Sequence, residues 1–240
     1  MSDVRLLVTR PDPDSEETAA RLRAHGHDAL VAPLLRIEPA PDAEIGAGPW
    51  SGIIMTSRNA ARAIERHPRF AELRHLPAFA VGRRTAAAAR SAGFSDVQSA
   101  DGDADDLVRL IRARHPAVAG RLLYLAGADR AADVAGELRK AGLSADTVAI
   151  YRAIAAEKFP VAARTALAAC ELDGVLHLSR RSAETYLACA RRDGLLDRAL
   201  LPKQYCLSAQ VAEPLIAAGA RNVAIAPRPV ETALIELLTP

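Results

Sequence analysis

The sequence predicts an α/β protein built on two parallel five-stranded sheets, each covered by helices on both faces. Ten short apolar runs alternate with Ala/Leu/Arg-rich stretches of helical period, which is typical of buried parallel strands. Ten strands approach the upper limit for one open sheet, which favours two sheets. Long stretches of the first half also recur in the second half, which indicates two copies of one α/β unit.

The predicted elements alternate along the whole chain. We expect strands at 4–8, 28–32, 52–55, 78–81, 96–99, 121–124, 145–150, 173–178, 204–207 and 222–225. We expect helices at 15–25, 59–66, 84–92, 104–114, 130–141, 160–169, 181–192, 209–218 and 230–238. The stretch LVAPLLRIEPAPDAEIGAGP has no helical period and carries four prolines, so it is interpreted as a crossing segment and a loop.

The internal repeats define which elements are equivalent. The stretch at 5–36 aligns without gaps on 121–152, 80–100 aligns on 206–226, and TSRNA at 56–60 matches SRRSA at 179–183. Equivalent glycines follow equivalent helices, where a left-handed exit favours glycine; these are Gly26 with Gly142 and Gly93 with Gly219.

The order of the repeats predicts a discontinuous first domain. The extended stretch 145–153 is too long for one sheet and could pair with the crossing segment as a two-stranded hinge. We therefore predict domain 1 from 1–35 and 153–240, domain 2 from 39–149, and inter-domain linker strands at 34–38 and 150–153.

Composition and charge narrow the class of protein. The net charge of +2 and the aromatic content of 4% argue against a nucleic-acid partner. No apolar run approaches the roughly 20 residues that a membrane helix needs. The N-terminal stretch MSDVRLLVTRP lacks the features of a signal peptide. We expect a cytoplasmic protein that binds neither nucleic acid nor a membrane.

Cysteine and histidine patterns do not suggest a metal site. Cys170, Cys189 and Cys206 are widely spaced, and each is expected to be a small buried residue. His177 lies inside an apolar run and is interpreted as a core histidine whose hydrogen bonds are satisfied. The sequence contains neither a G-x-G-x-x-G motif nor a P-loop. We expect no metal and no organic cofactor.

Polar and basic residues follow many of the predicted strands, where ligands of open parallel sheets bind. Helix capping explains the hydroxyl residues. Capping does not explain the arginines, because Arg in the first helical turn opposes the helix dipole. An anionic ligand explains them better than solvated arginines in an Arg-rich chain. The candidate ligand-binding residues are Arg10, Thr56, Ser57, Arg58, Asn59, Gly82, Arg83, Thr85, Gly127, Arg130, Ser179, Arg180, Ser182 and Ser208.

Eight short motifs, in this order and spacing, resemble the uroporphyrinogen-III synthase family over essentially the whole chain. They are VTRP (8–11), PLLRIEP (33–39), IIMTSRNA (53–60), AVGRRTAAAARSAGF (80–94), LLYLAGADR (122–130), AIYR (149–152), VLHLSRRSAETY (175–186) and LSAQVAEPLIAAG (207–219). One motif departs from the pattern. In the second copy of the VGxxT turn, Ser208 and Val211 stand where the first copy has Gly82 and Thr85.

The resemblance implies a monomer with two flavodoxin-like halves joined by a two-stranded β linker. The implied reaction closes linear hydroxymethylbilane to uroporphyrinogen III, with loss of water and inversion of the terminal (D) pyrrole ring. The implied site lies in the cleft between the domains, where Arg58 and Arg180 are expected to face each other's domain. Tyr151 aligns with a tyrosine of the family pattern, and its phenol could donate a proton to the departing hydroxyl. The alternative is that Tyr151 only packs at the hinge.

The implied substrate agrees with the basic strand ends. Hydroxymethylbilane carries eight carboxylates, which the repeated arginines could bind. Because the substrate is unstable, a transient contact with the upstream hydroxymethylbilane synthase is a further expectation. A different class of function stays open at this point, namely a non-catalytic two-domain module that binds an anionic tetrapyrrole or another metabolite.

Overall fold

The computed structural model describes residues 4–115, 120–129 and 134–238, which form two compact α/β units. Unit 1 comprises Met1–Arg36 and Ile154–Pro240, and unit 2 comprises Ile37–Ala153. The chain therefore passes once from unit 1 to unit 2 and once back. The predicted α/β class is confirmed.

Helices and strands alternate along the described residues. The strands are β1 (Arg5–Val8), β2 (Asp28–Val31), β3 (Leu35–Pro39), β4 (Trp50–Met55), β5 (Ala78–Ala80), β6 (Val97–Ser99), β7 (Arg121–Gly127), β8 (Ala145–Ala155), β9 (Gly174–His177), β10 (Lys203–Cys206) and β11 (Val223–Ile225). The helices are α1 (Asp14–Ala24), α2 (Arg58–Ile64), α3 (Phe70–Leu73), α4 (Arg83–Ala92), α5 (Ala104–Arg114), α6 (Val134–Lys140), α7 (Val161–Ala168), α8 (Arg180–Arg192), α9 (Leu196–Leu200), α10 (Ala209–Ala217) and α11 (Glu231–Glu236).

Unit 1 contains a parallel five-stranded sheet in the order β11-β10-β9-β1-β2. Numbered within the unit, its strands run 2-1-3-4-5, which is the flavodoxin-like order. Side chains of neighbouring residues point to opposite faces of the sheet. Leu7 and Val175 therefore belong to one apolar core, whereas Leu6 and Leu176 belong to the other.

Unit 2 contains a six-stranded sheet in the order β3-β8-β7-β4-β5-β6. Five of these strands are parallel neighbours, as predicted. The sixth, β3, is antiparallel to β8, because the N–H of Ala156 donates to the carbonyl of Leu34 (2.9 Å) and the N–H of Ala40 donates to that of Ile150 (2.7 Å). The predicted five-stranded sheet is thus a mixed six-stranded sheet, since β8 extends far enough for the crossing segment to pair with it.

The two units repeat one spatial arrangement with a different chain order. The order β2-β1-β9-β10-β11 in unit 1 corresponds to β8-β7-β4-β5-β6 in unit 2. This correspondence pairs β1 with β7 and β9 with β4, as the sequence repeats require. The glycines that follow equivalent helices also share a left-handed backbone conformation. The angle φ is +84° at Gly26 and +77° at Gly142, and it is +108° at Gly93 and +99° at Gly219.

Some local expectations were wrong. Two short helices, α3 and α9, were not predicted, since four or five residues are too few to show a helical period. Cys170 is exposed, although Cys189 and Cys206 are buried. The reason is that Cys170 lies in the turn after α7, with a φ of +55°, outside the apolar core.

Among the residues that the structure describes, no helix combines the length and the apolar character that crossing a bilayer requires.

Candidate functional site

The direction of chain travel across the sheet of unit 2 reverses between β4 and β7. From β4 the chain adds β5 and β6 on one side, and it then adds β7 and β8 on the other side. Ligands of open parallel sheets bind beyond the carboxyl ends of the strands at such a switch point. Thr56 and Ser57 follow β4, Gly127 ends β7, and Tyr151 lies opposite Gly127 on β8. Four predicted site residues therefore meet at this switch point.

A β-bulge sets the position of Tyr151. Ala126 pairs with Ala149, but the next residue, Gly127, pairs with Tyr151, so β8 contains one extra residue here. Bulges change the direction of a side chain and are frequent beside active sites. A Cβ at Gly127 would lie 2.8 Å from Cζ of Tyr151 and 2.9 Å from its hydroxyl oxygen. Glycine at 127 therefore makes room for the tyrosine ring, a role that the sequence did not indicate.

The phenol of Tyr151 is held in its protonated form. Burial raises its pKa above the usual value, and nearby Tyr124 and Asp129 raise it further. A side-chain hydrogen bond with Ser57 acts in the opposite direction and lowers the pKa. Because burial is the largest contribution, the phenol carries its proton at neutral pH, as a proton donor must, although the raised pKa also makes it a weaker acid.

Tyr124 is a further polar residue at this switch point, and the sequence did not single it out. Its hydroxyl and Oγ1 of Thr56 share a hydrogen bond of 2.9 Å, and only 3% of its surface is exposed. A signal was present, since a tyrosine inside the apolar run LLYL needs a partner for its hydroxyl. We call Thr56, Ser57, Tyr124 and Tyr151 the hydroxyl cluster.

Helix capping accounts for part of the polar pattern. Ser57 caps α2 by accepting from the N–H of Asn59 (3.1 Å), and Asn59 in turn accepts from Arg62 (3.3 Å). Ser179 caps α8 by accepting from the N–H of Ser182 (3.1 Å), and the hydroxyls of Ser179 and Ser182 share a bond of 2.8 Å.

Two other helix N-termini differ. Gly82 precedes α4 and Ser208 precedes α10, and within the described chain neither N-cap residue makes a side-chain capping bond. The first N–H groups of α4 and α10 are therefore suited to an anionic ligand.

Two predicted arginines are exposed and form surface ion pairs. Arg83, whose side chain is 85% exposed, bonds to Asp101 at 2.7 Å. Arg180 bonds to Glu184 at 2.9 Å and to Glu213 at 2.5 Å. These carboxylates raise the pKa of both guanidinium groups, so both stay charged. Exposed ion pairs contribute little to stability, so a carboxylate of a ligand could replace these partners.

The remaining candidate residues of unit 2 differ in burial. Arg58 begins α2 and is half-buried, whereas Thr85 is almost fully buried in the first turn of α4. Arg130 lies outside the described residues. Thr85 corresponds to Val211 in unit 1, which is also buried, so the departure from the family motif at 211 falls on an interior position.

Arg10 makes internal contacts instead of facing a ligand. Its guanidinium bonds to Asp14 (3.1 Å), to Thr18 (3.2 Å) and to Glu231 (3.0 Å). The Glu231 side chain is 1% exposed and also accepts from Arg21 at 2.7 Å. A buried carboxylate requires paired cations and hydrogen bonds. Arg10 therefore stabilises the contact of α1 with α11, and we leave it out of the proposed site.

The hydroxyl cluster belongs to unit 2 alone. Unit 1 repeats the capping serine, since Ser179 caps α8 as Ser57 caps α2. The repeat alignment places Val8 at the position of Tyr124 and Leu35 at that of Tyr151. Strand pairing shifts the match of TSRNA to SRRSA by one residue, because Tyr124 pairs with Ile54 and Val8 pairs with Leu176, and so places Leu178 at the position of Thr56. All three are apolar. The two copies of the fold have therefore diverged at their switch points, and unit 2 carries the polar chemistry.

His177 is a core residue, as predicted, but only one of its nitrogens is satisfied. It is fully buried, and Nε2 donates to Oε1 of Gln204 at 2.8 Å. Nδ1 finds no hydrogen-bond partner among the described residues. Burial lowers the pKa of His177 to about 4, so the ring is neutral at physiological pH.

The described residues contain no group of three or more His, Cys, Asp or Glu side chains that could hold a metal ion. Fold and site together define a class: an α/β protein of two permuted flavodoxin-like units, with a tyrosine-bearing site at the strand ends of one unit. The sequence model of a family described as "Uroporphyrinogen-III synthase HemD" matches residues 16–236. The chain belongs to the uroporphyrinogen-III synthase family.

Solved structures with this fold agree with that membership. A uroporphyrinogen-III synthetase from Helicobacter pylori 26695 superposes with a TM-score of 0.67 at 17% identity, covering 99% of this chain and 98% of that chain. A mutant uroporphyrinogen III synthase from the extremely thermophilic bacterium Thermus thermophilus gives 0.54 at 16% identity, covering 98% and 97%. A search of curated protein sequences finds no match. At these identities the structures support the fold, and the family model carries the membership.

Family membership establishes the class of reaction. The chain is an enzyme, a cyclising lyase of tetrapyrrole biosynthesis that acts on a small-molecule tetrapyrrole. It converts hydroxymethylbilane to uroporphyrinogen III. Nothing in these comparisons favours the non-catalytic alternative.

Proposed function

We propose that hydroxymethylbilane is closed at the switch point of unit 2 and that Tyr151 donates the proton to the departing hydroxyl. One observation carries this proposal. The Tyr151 phenol is placed by a β-bulge over Gly127 and hydrogen-bonded to Ser57, at the place where open parallel sheets bind ligands.

The reaction requires two things of the protein, namely a proton donor and a fixed geometry of the substrate. The hydroxyl leaves as water once it receives a proton, and an electrophilic carbon remains at that end of the chain. Bond formation with the terminal ring later releases a proton, which restores the phenol. Holding the two ends of a flexible chain together can lower the barrier by several kcal/mol, on the order of what intramolecular reactions gain.

Substrate carboxylates are bound, in this proposal, by cations and helix N–H groups beyond the strand ends. In unit 2 these are Arg58, Arg83 and the N-terminus of α4 at Gly82, with Arg130 as a further predicted ligand. In unit 1 they are Ser179, Arg180 and the N-terminus of α10 at Ser208. Exposure of Arg83 and Arg180 supports this assignment.

A Tyr151→Phe variant tests the role of the phenol, because it removes one oxygen and keeps the ring over Gly127. Proton donors contribute about 100-fold or more, and we expect the low end because this substrate loses its hydroxyl readily. We expect kcat to fall by about that factor with KM nearly unchanged, measured with fresh hydroxymethylbilane. Tyr205→Phe in unit 1 is the control. A Tyr151→Phe enzyme with the kcat of the wild type would exclude proton donation by Tyr151 and leave the reaction itself unaffected.

We further propose that the enzyme works as a cytoplasmic monomer that contacts hydroxymethylbilane synthase only transiently. The instability of the substrate supports a short transfer between the two enzymes. Sedimentation velocity of the enzyme, alone and mixed with the synthase, measures both properties. A stable dimer or a stable complex would contradict the proposal.

A further inference from the structure

Two tyrosines reach one turn from opposite faces of the sheet of unit 2. Tyr124 packs in the apolar cluster that contains Ile54, whereas Tyr151 packs against the cluster that contains Ile53. Ile53 and Ile54 are neighbours on β4, so their side chains point to opposite faces. The turn that follows β4 is therefore contacted from both sides.

Each tyrosine bonds a different residue of that turn. Tyr124 shares its 2.9 Å hydrogen bond with Thr56, and Tyr151 is hydrogen-bonded to the next residue, Ser57. Ser57 also caps α2, with an extended φ of −142°. Any movement of Thr56 would therefore shift the hydroxyl that meets the Tyr151 phenol.

The hydroxyl of Tyr124 is not needed by the fold. The strand registers make Val8 and Leu178 the equivalent positions of unit 1, and both are apolar and belong to one apolar cluster. Burying a hydroxyl is unfavourable unless it is hydrogen-bonded, so an apolar pair is the simpler solution for a core. Since Tyr124 is only 3% exposed, its hydroxyl is also not placed to touch a substrate.

We propose that Tyr124 is a positioning residue for Tyr151, acting through Thr56 and Ser57. Its hydroxyl fixes the turn after β4, and the fixed turn orients the Ser57 hydroxyl toward the phenol. This inference rests on the proposed role of Tyr151 in proton donation.

The first test compares Tyr124→Phe with Tyr186→Phe. Tyr186 is a matched control, because it is fully buried in unit 1 and donates its hydroxyl to the carbonyl of Ala199 at 2.8 Å. One net hydrogen bond corresponds to about a threefold to tenfold effect. We expect Tyr124→Phe to lower kcat by about that factor with KM unchanged. We expect Tyr186→Phe to change the unfolding midpoint only. Equal kcat values for Tyr124→Phe and the wild type would overturn the inference.

The second test asks whether Tyr124 acts through Tyr151. If it does, the Tyr124→Phe/Tyr151→Phe double variant has the same kcat as Tyr151→Phe alone. The inference would be overturned if the loss of kcat in the double variant equalled the product of the two single losses, or if Tyr151→Phe kept the kcat of the wild type. In both cases isomer III would still be formed. A wild-type enzyme that yields only isomer I would instead overturn the proposed function.

Discussion

At the scale of single residues, burial decides which charged and polar groups take part in function. Arg10 follows a strand, as a ligand-binding arginine should, yet its charge neutralises Glu231 in the interior of unit 1. Arg83 has the same kind of position in sequence but remains exposed. The sequence could not separate the two, because Glu231 lies far from Arg10 along the chain.

His177 shows how a buried titratable group affects stability instead of catalysis. Its folded pKa is about 4, below the value of about 6.5 expected in the unfolded chain. The unfolded state therefore binds the proton at higher pH, and stability falls as the pH drops from above 6.5 toward 4.

We expect His177 to remove about 2 kcal/mol of stability between pH 7.5 and pH 5. Urea unfolding at both pH values measures this loss, and His177→Phe should abolish that part of the slope. His25→Gln is the control, since it replaces a histidine that is exposed. An unchanged slope in His177→Phe would show that the ring titrates normally.

At the scale of elements, the pairing of β7 with β8 determines where the phenol lies. The bulge adds one residue to β8, and Gly127 leaves the space that the Tyr151 ring fills. Close packing also explains two glycines at equivalent positions of the two sheets. A Cβ at Gly52 on β4 would lie 2.9 Å from Leu122, and one at Gly174 on the equivalent β9 would lie 2.9 Å from Leu6.

We expect Gly127→Ala to displace the Tyr151 ring and to lower kcat by about 10- to 100-fold, since small misplacements of a reacting group are costly. Steady-state kinetics with fresh hydroxymethylbilane checks this. Gly46→Ala is the control in the same unit, because its nearest neighbour, Trp50, would be 3.8 Å away. A Gly127→Ala enzyme as active as the control would mean that the ring position is unimportant.

Most helices and strands could be predicted from the sequence, because the spacing of apolar residues and the glycines that follow helices are local signals. The repeats even indicated which strands are equivalent, such as β1 with β7. The sequence could not show that the pair of β3 with β8 forms the edge of the unit 2 sheet, since edge pairing depends on tertiary contacts. Similarly, Tyr151 was singled out by its motif, but the contribution of Tyr124 depends on a hydrogen bond between two strands.

At the scale of the whole molecule, two copies of one fold have taken different roles. Unit 2 has hydroxyls at Thr56, Tyr124 and Tyr151, whereas the equivalent positions of unit 1 are apolar, and the two units share only the capping serine. In unit 1, Arg10 also forms an ion pair with the buried Glu231. We propose that proton transfer belongs to unit 2 and that unit 1 contributes ligand-binding groups, including Arg180.

The most direct test of this account is the isomer composition of the product. Purified enzyme is incubated with freshly prepared hydroxymethylbilane, the product is oxidised, and the uroporphyrin isomers are separated. We expect isomer III to predominate, because closure on the enzyme inverts the terminal ring. Isomer I alone, as in the spontaneous reaction, would contradict the account.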